Sequence, residues 1–237
     1  MDKIHIKDKL SDLNVNIKDI VLGEFDAIGE YTAKKSRSKD HPLYSKAGCF
    51  FRPNYERGIL MNYLIKKNQI DSVLEIGFGR GYSTFCMAKS MCDYGIDGKI
   101  TTVDPNLDEN FLKYLSNIFP KDWFSKIEFI KGLSDQFFTE DSRNFDFIYI
   151  DGDHHANAVK NDWLNSENRF KKLLLFDDYV IKGTTQYQDI ECTDVIDQIS
   201  NVTYKKELII MDRRIFIDDR GLTDDQINSG QVLVERR

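Results

Sequence analysis

The sequence has no surplus of basic residues: 33 Lys and Arg stand against 39 Asp and Glu, a net charge of −6. A nucleic-acid partner needs a basic face, so this balance argues against one. No apolar run approaches membrane-spanning length, and Met1-Asp2-Lys3-Ile4-His5 is not the start of a signal-peptide apolar region. No membrane association is therefore expected. Cysteine is scarce as well. Cys49, Cys86, Cys92 and Cys192 form no CxxC pair, and Cys86 and Cys92 lie on or beside one helix, where they read as buried free thiols. A reduced, cytoplasmic compartment is the expectation. Repeats and low-complexity segments are also missing. What is present is 41% hydrophobic and 12% aromatic content over 237 residues, enough for a sizeable core and one domain with an elaboration.

The stretch Val73-Leu74-Glu75-Ile76-Gly77-Phe78-Gly79-Arg80-Gly81-Tyr82-Ser83-Thr84 organises the chain. A short apolar run reads as a buried strand, three glycines follow at every second position, and a helix-compatible run begins at Tyr82. Glycine serves where the backbone takes positive φ or must touch a ligand closely. A strand, a glycine turn and a helix N-terminus together present backbone N–H groups and a positive dipole end. The spacing differs from the dinucleotide fingerprint G-x-G-x-x-G. Glu75 with Gly77, Gly79 and Gly81 gives E-x-G-x-G-x-G, which resembles the first motif of class I S-adenosylmethionine-dependent methyltransferases.

Alternation follows. Strands are expected at Val73 to Ile76, Ile100 to Val103, Ile127 to Ile130, Phe145 to Ile150 and Leu173 to Phe176, each separated from the next by a helical stretch. This pattern means βαβ units with right-handed crossovers. The fold class is α/β, a Rossmann-like, doubly wound and mostly parallel sheet flanked by helices, with an antiparallel C-terminal strand. Before the first strand, Asn54 is a candidate N-cap for a helix through Lys67. Residues 1–33 suggest one or two helices, and Lys34 to Lys39 a basic loop or lid. The expected division is an N-terminal helical or lid extension over 1–54 and a methyltransferase domain over 55–237. In the tail, Tyr204 to Met211 and Arg213 to Ile217 read as a hairpin, and Gln231 to Glu235 as a further strand.

In a parallel α/β sheet ligands bind beyond the carboxyl ends of the strands, and acids stand at those ends here. Asp104 follows the second strand, placed to accept hydrogen bonds from ribose hydroxyls. Gly132-Leu133-Ser134-Asp135 follows the third, Asp151-Gly152-Asp153-His154-His155 the fourth, and Asp177-Asp178 the fifth. Carboxylates crowded at neighbouring strand ends demand something positive between them. Oxygen-only ligands favour a hard cation such as Mg2+, with Mn2+ or Ca2+ as alternatives.

These segments resemble the metal-dependent O-methyltransferases, the catechol and caffeoyl-coenzyme-A type. They are also similar to the branch containing macrolide-sugar methyltransferases and the cephalosporin hydroxylase family. The resemblance spans about Asp71 to Asp178. It implies a cofactor set of Glu75, Gly77, Gly79, Gly81, Ser83, Asp104, Ser134 and Asp151, and a metal set of Asp151, Asp177 and Asp178. Where catechol-type members carry a general-base lysine, three residues past the first metal acid, this chain has His154, which can take a proton at neutral pH; His155 is the fallback. Asp151 and His154 are thus the catalytic pair. The implied reaction is S-adenosylmethionine-dependent, metal-assisted O-methylation of a small polyhydroxylated or phenolic acceptor, by a protein that may assemble as a homo-oligomer. The alternatives are an N-methyltransferase, a nicotinamide-dependent oxidoreductase and a non-catalytic partner subunit. The chain departs from the family at Lys171-Lys172, where relatives carry a Pro/Gly-rich turn, and its first fifty residues match no named pattern.

Overall fold

A computed structural model describes residues 1–25, 55–181, 190–216 and 229–237. In chain order come strand β1 (Asp2–His5), helix α1 (Ile6–Asp12), α2 (Tyr55–Asn68), β2 (Ser72–Ile76), α3 (Tyr82–Asp93), β3 (Lys99–Val103), α4 (Glu109–Ser116), α5 (Lys121–Ser125), β4 (Ile127–Ile130), α6 (Ser134–Glu140), β5 (Phe145–Ile150), α7 (Ala156–Ser166), β6 (Phe170–Val180), α8 (Cys192–Gln198), β7 (Tyr204–Ile210) and β8 (Ser229–Arg236). The strands form one sheet in the order β1-β7-β8-β6-β5-β2-β3-β4. All neighbours pair in parallel except β8, which runs antiparallel between β6 and β7.

The central strands are apolar on both faces because helices cover both faces. Side chains alternate sides along each strand. In β2, Val73 joins Ile59, Leu64, Phe85 and Tyr149 in one core layer, while Leu74 and Ile76 join Ile148, Trp163, Phe176 and Ile196 in the other. The fold class expected from the alternation is the one observed, and the order of β2 to β6 places the carboxyl ends of β2, β3, β5 and β6 side by side.

Several expected boundaries shift. The N-terminal segment opens with a strand as well as a helix: β1 pairs with β7, so the sheet itself reaches across the expected boundary at residue 54. Where a strand is expected at Arg213 to Ile217, Arg213–Ile215 is a 3-10 turn, and Ile217 lies outside the described residues. Asp212 causes the turn, accepting the Arg214 N–H at 3.0 Å and its guanidinium at 2.8 Å. The antiparallel partner of β7 is β8, in register from Tyr204↔Arg236 to Ile210↔Gly230. The fifth strand of the alternation, β6, runs well past Phe176. Asn54 and the Lys34 to Lys39 run lie outside the described residues.

Candidate functional site

The glycine turn joins β2 to α3. Gly77 donates its N–H to the Val103 carbonyl at 2.9 Å, and the Ile76 carbonyl accepts the Asp151 N–H at 2.9 Å. Gly77 sits at φ +94°, and a Cβ there would lie 2.1 Å from the Asp151 carbonyl oxygen. Only glycine lets the ends of β2 and β5 approach this closely. At Gly79, φ +53°, a Cβ would meet nothing within 4 Å among the described residues. The turn is open on the side where a ligand would lie against the backbone. Gly81 caps the 12-residue α3 without any side-chain hydrogen bond, leaving the helix end to be served by a ligand or solvent.

Asp104 ties the second strand to this turn. Its Oδ2 accepts the Gly79 N–H at 2.9 Å and its Oδ1 the Asn106 N–H at 2.7 Å. Each carboxylate oxygen has a further lone pair for a ribose hydroxyl. Glu75 is fully buried beneath the turn and accepts the Thr84 hydroxyl, while its Oε1 has no hydrogen-bond partner among the described residues. Burial pushes its carboxyl up to about 7. Ser83 is buried on the first turn of α3. Ser134 opens α6 and bonds to Asp162, a buried acid that desolvation pushes up to about 6. The structure therefore brings Gly77, Gly79, Gly81 and Asp104 into one bonded turn, with Glu75 and Ser83 buried on the strand and helix that flank it and Ser134 at the start of α6.

The acids form the second part. Asp151 follows β5, and Asp177 and Asp178 stand inside β6 rather than beyond it. There the register against β8 shifts between Phe176 and Tyr179, and Asp178 takes φ +54°. This left-handed geometry, uncommon for a non-glycine residue, allows consecutive acids to serve one locus. Oxygens from Asp151, Asp177 and Asp178 lie within 4.8 Å of one another.

Something positive does stand there: Arg57, from α2. Its Nη1 donates to Asp151 Oδ2 at 2.9 Å and its Nη2 pairs with Asp177 Oδ2. Tyr149 donates its hydroxyl to Asp151 Oδ2 at 3.1 Å, and Gln231 of β8 donates Nε2 to Asp177 Oδ1 at 3.0 Å. Burial holds the Asp151 carboxyl well above its ordinary range. For Asp177 burial pushes the same way, but the guanidinium and Gln231 outweigh it and hold the carboxyl below that range. Asp178 is pushed up to about 6, by burial first and then by Asp177. Its Oδ2 lies 3.1 Å from His154 Nδ1. An Nδ1–H donated to this carboxylate leaves the lone pair on Nε2. Asp153 pairs instead with His155 at the exposed start of α7, and accepts the His155 N–H at 3.0 Å.

Arg57, Tyr149 and Gln231 are the contributors that sequence reasoning missed. The signal for Arg57 was its place: Glu56, Gly58, Ile59 and Leu60 around it are all buried in α2. A basic residue in such a helix needs a buried acid, and the acid cluster needed a base. Gln231, a polar side chain opening an apolar strand, carried a weaker form of the same signal.

Residues 74–179 match a family described as a methyltransferase domain. Among solved structures, the chain is similar to the O-methyltransferase TomG of Streptomyces achromogenes, involved in tomaymycin synthesis and solved with S-adenosylmethionine. The two are 13% identical over 89% of each chain, with a TM-score of 0.59. It is also similar to the Podospora anserina methyltransferase PaMTH1, solved with S-adenosylhomocysteine, at 16% identity over 90% of this chain and 88% of that one, TM-score 0.57. An O-methyltransferase of Bacillus cereus, also with S-adenosylhomocysteine, is 17% identical over 98% of this chain and 97% of that one, TM-score 0.55. At these identities the likeness is one of fold. No curated protein sequence matches the chain.

Proposed function

We propose, from the match of residues 74–179 to a family described as a methyltransferase domain, that the chain methylates a hydroxyl oxygen of a small polyhydroxylated or phenolic acceptor, using S-adenosylmethionine. The observation that carries this reading is the adjacency of two features: an open glycine turn bonded to Asp104, and a histidine–acid pair one strand away. The cofactor fits the residues present. Space is open at Gly79, where a Cβ would fill the cradle, and Asp104 has lone pairs to spare. Gly77, Gly79, Gly81 and Asp104 would hold it, with Glu75, Ser83, Ser134 and Asp151 supporting the turn. When bound, it supplies an electrophilic methyl on a sulfonium.

The chain's own part is positioning and proton transfer. Asp178 orients His154 through Nδ1, which leaves Nε2 to take the acceptor's hydroxyl proton. Alignment of the reacting atoms supplies much of the acceleration. A small acceptor suits the acidic balance of the chain, and the thiols Cys86, Cys92 and Cys192 suit a reducing cytoplasm.

For a divalent cation the donor chemistry is suitable, since three carboxylates suit a hard ion. The site as built does not fit one. Arg57 engages Asp151 and Asp177, and His154 engages Asp178.

Calorimetric titration with S-adenosylhomocysteine tests the cradle, and methyl transfer to phenols and sugars tests the chemistry. His154→Ala should lower kcat by about 10²- to 10⁴-fold with cofactor affinity unchanged. Full turnover in that variant would remove His154 from the role. Absence of S-adenosylhomocysteine binding by the native chain would overturn the reading as a whole.

A further inference from the structure

The acid cluster and its arginine point beyond this reaction scheme. Every acid in it already has a positive or hydrogen-bonding partner within the chain. Arg57 spans Asp151 and Asp177, Gln231 takes the second Asp177 oxygen, Tyr149 adds to Asp151, and His154 meets Asp178. The guanidinium belongs to this place alone. Its Nε is buried and has no hydrogen-bond partner among the described residues, so the two acids are what hold it. They also raise its already high affinity for a proton against the pull of burial.

The backbone that carries Arg57 is seated tightly. At the next residue, Gly58, a Cβ would come within 2.8 Å of Cys86 Sγ and 2.9 Å of Tyr82 Oη on α3. The helix therefore has little room to withdraw its arginine. A divalent ion among the same oxygens would sit against the guanidinium, a like charge in a poorly solvated space.

We propose that Arg57 is the resident cation of this site, standing where a divalent metal would otherwise bind, so that methyl transfer needs no metal. Arg57 is a positioning residue in this role. It balances the acids, fixes Asp151 and Asp177, and so leaves Asp178 to orient His154. The inference rests on the proposed methyl transfer for its meaning, but its test reads metal binding directly.

The experiment is a titration of the full chain with Mn2+, followed by electron paramagnetic resonance and calorimetry, with and without S-adenosylhomocysteine. The native chain should show no stoichiometric site tighter than about 1 mM. Arg57→Met, which keeps the stem and removes the charge, should gain one Mn2+ per chain, bound at least about tenfold more tightly than by the native protein. Arg57→Lys should stay as blind to Mn2+ as the native chain. One Mn2+ bound by the native chain and lost in Asp177→Asn would overturn the proposal. So would a folded Arg57→Met that gains no site, because the guanidinium would then not be what fills the place. If Arg57→Met does not fold, the native and Asp177→Asn titrations decide alone. Loss of S-adenosylhomocysteine binding would count against the methyltransferase reading and leave the Mn2+ result standing.

Discussion

The two halves of the site are built from different materials. The half proposed to hold the cofactor, at the ends of β2 and β3, is backbone: glycine amides, a helix end and one aspartate that accepts two N–H groups. The half proposed to face the acceptor, at β5, β6 and β8, is side chain: three acids, an arginine, a tyrosine, a glutamine and a histidine. A backbone cradle tolerates much because its donors do not depend on which side chains surround them. A partly buried charge cluster is less forgiving, since each member depends on its partners for compensation. Removing one partner of a buried pair leaves an uncompensated charge, which costs more than the pair itself contributes.

That asymmetry can be broken first at Arg57. Arg57→Ala should destabilise the fold by about 3–5 kcal/mol, the scale for breaking a buried ion pair, read as a lower denaturant midpoint with unchanged slope. A loss near zero would mean that the acids are solvated and the contrast between the halves is false. Asp104→Ala probes the other half. It should weaken S-adenosylmethionine binding by about 1–3 kcal/mol while costing the fold little. Gly79→Val should remove binding by filling the cradle; native affinity in both variants, measured by calorimetry, would sink the assignment.

A pH-dependent effect sharpens the comparison, because Glu75 is a buried acid in the backbone half. Its folded-state value of about 7 lies above the ordinary carboxylate value of about 4.3, so the folded chain holds this proton more tightly than the unfolded one. Stability from this group is full below about pH 4 and falls as pH rises toward 7. Glu75→Gln removes the proton exchange. Its stability relative to the native chain should therefore rise across that window, by about 3–4 kcal/mol when the full shift is expressed, and level off above it. Unfolding curves at a series of pH values that keep a constant gap would show that Glu75 does not titrate there.

What could be read from the sequence follows the same division. The cradle lies within twelve consecutive residues, so its strand, turn and helix show as one local pattern, and Asp104 follows the next strand. The acids were legible because they mark strand ends. Arg57 and Gln231 were not, since α2 precedes the first strand of the alternation and β8 is the last of the described elements. Only the closing of the sheet brings them to Asp177. The same non-locality hid β8 as the partner of β7. A turn made by Asp212 and Arg214 looked like a strand because Ile215 and Phe216 are apolar, and nothing local shows that a side chain has captured its own backbone.

The absence of a side chain at Gly77 has a mechanical consequence. With a Cβ excluded by the Asp151 carbonyl at 2.1 Å, no compressible layer separates the turn that would hold the cofactor from the strand end that carries an acceptor-side acid. A displacement of one is a displacement of the other. Occupancy of the two halves should then be linked, and linkage is reciprocal: whatever factor an acceptor lends to cofactor affinity, the cofactor must return to the acceptor.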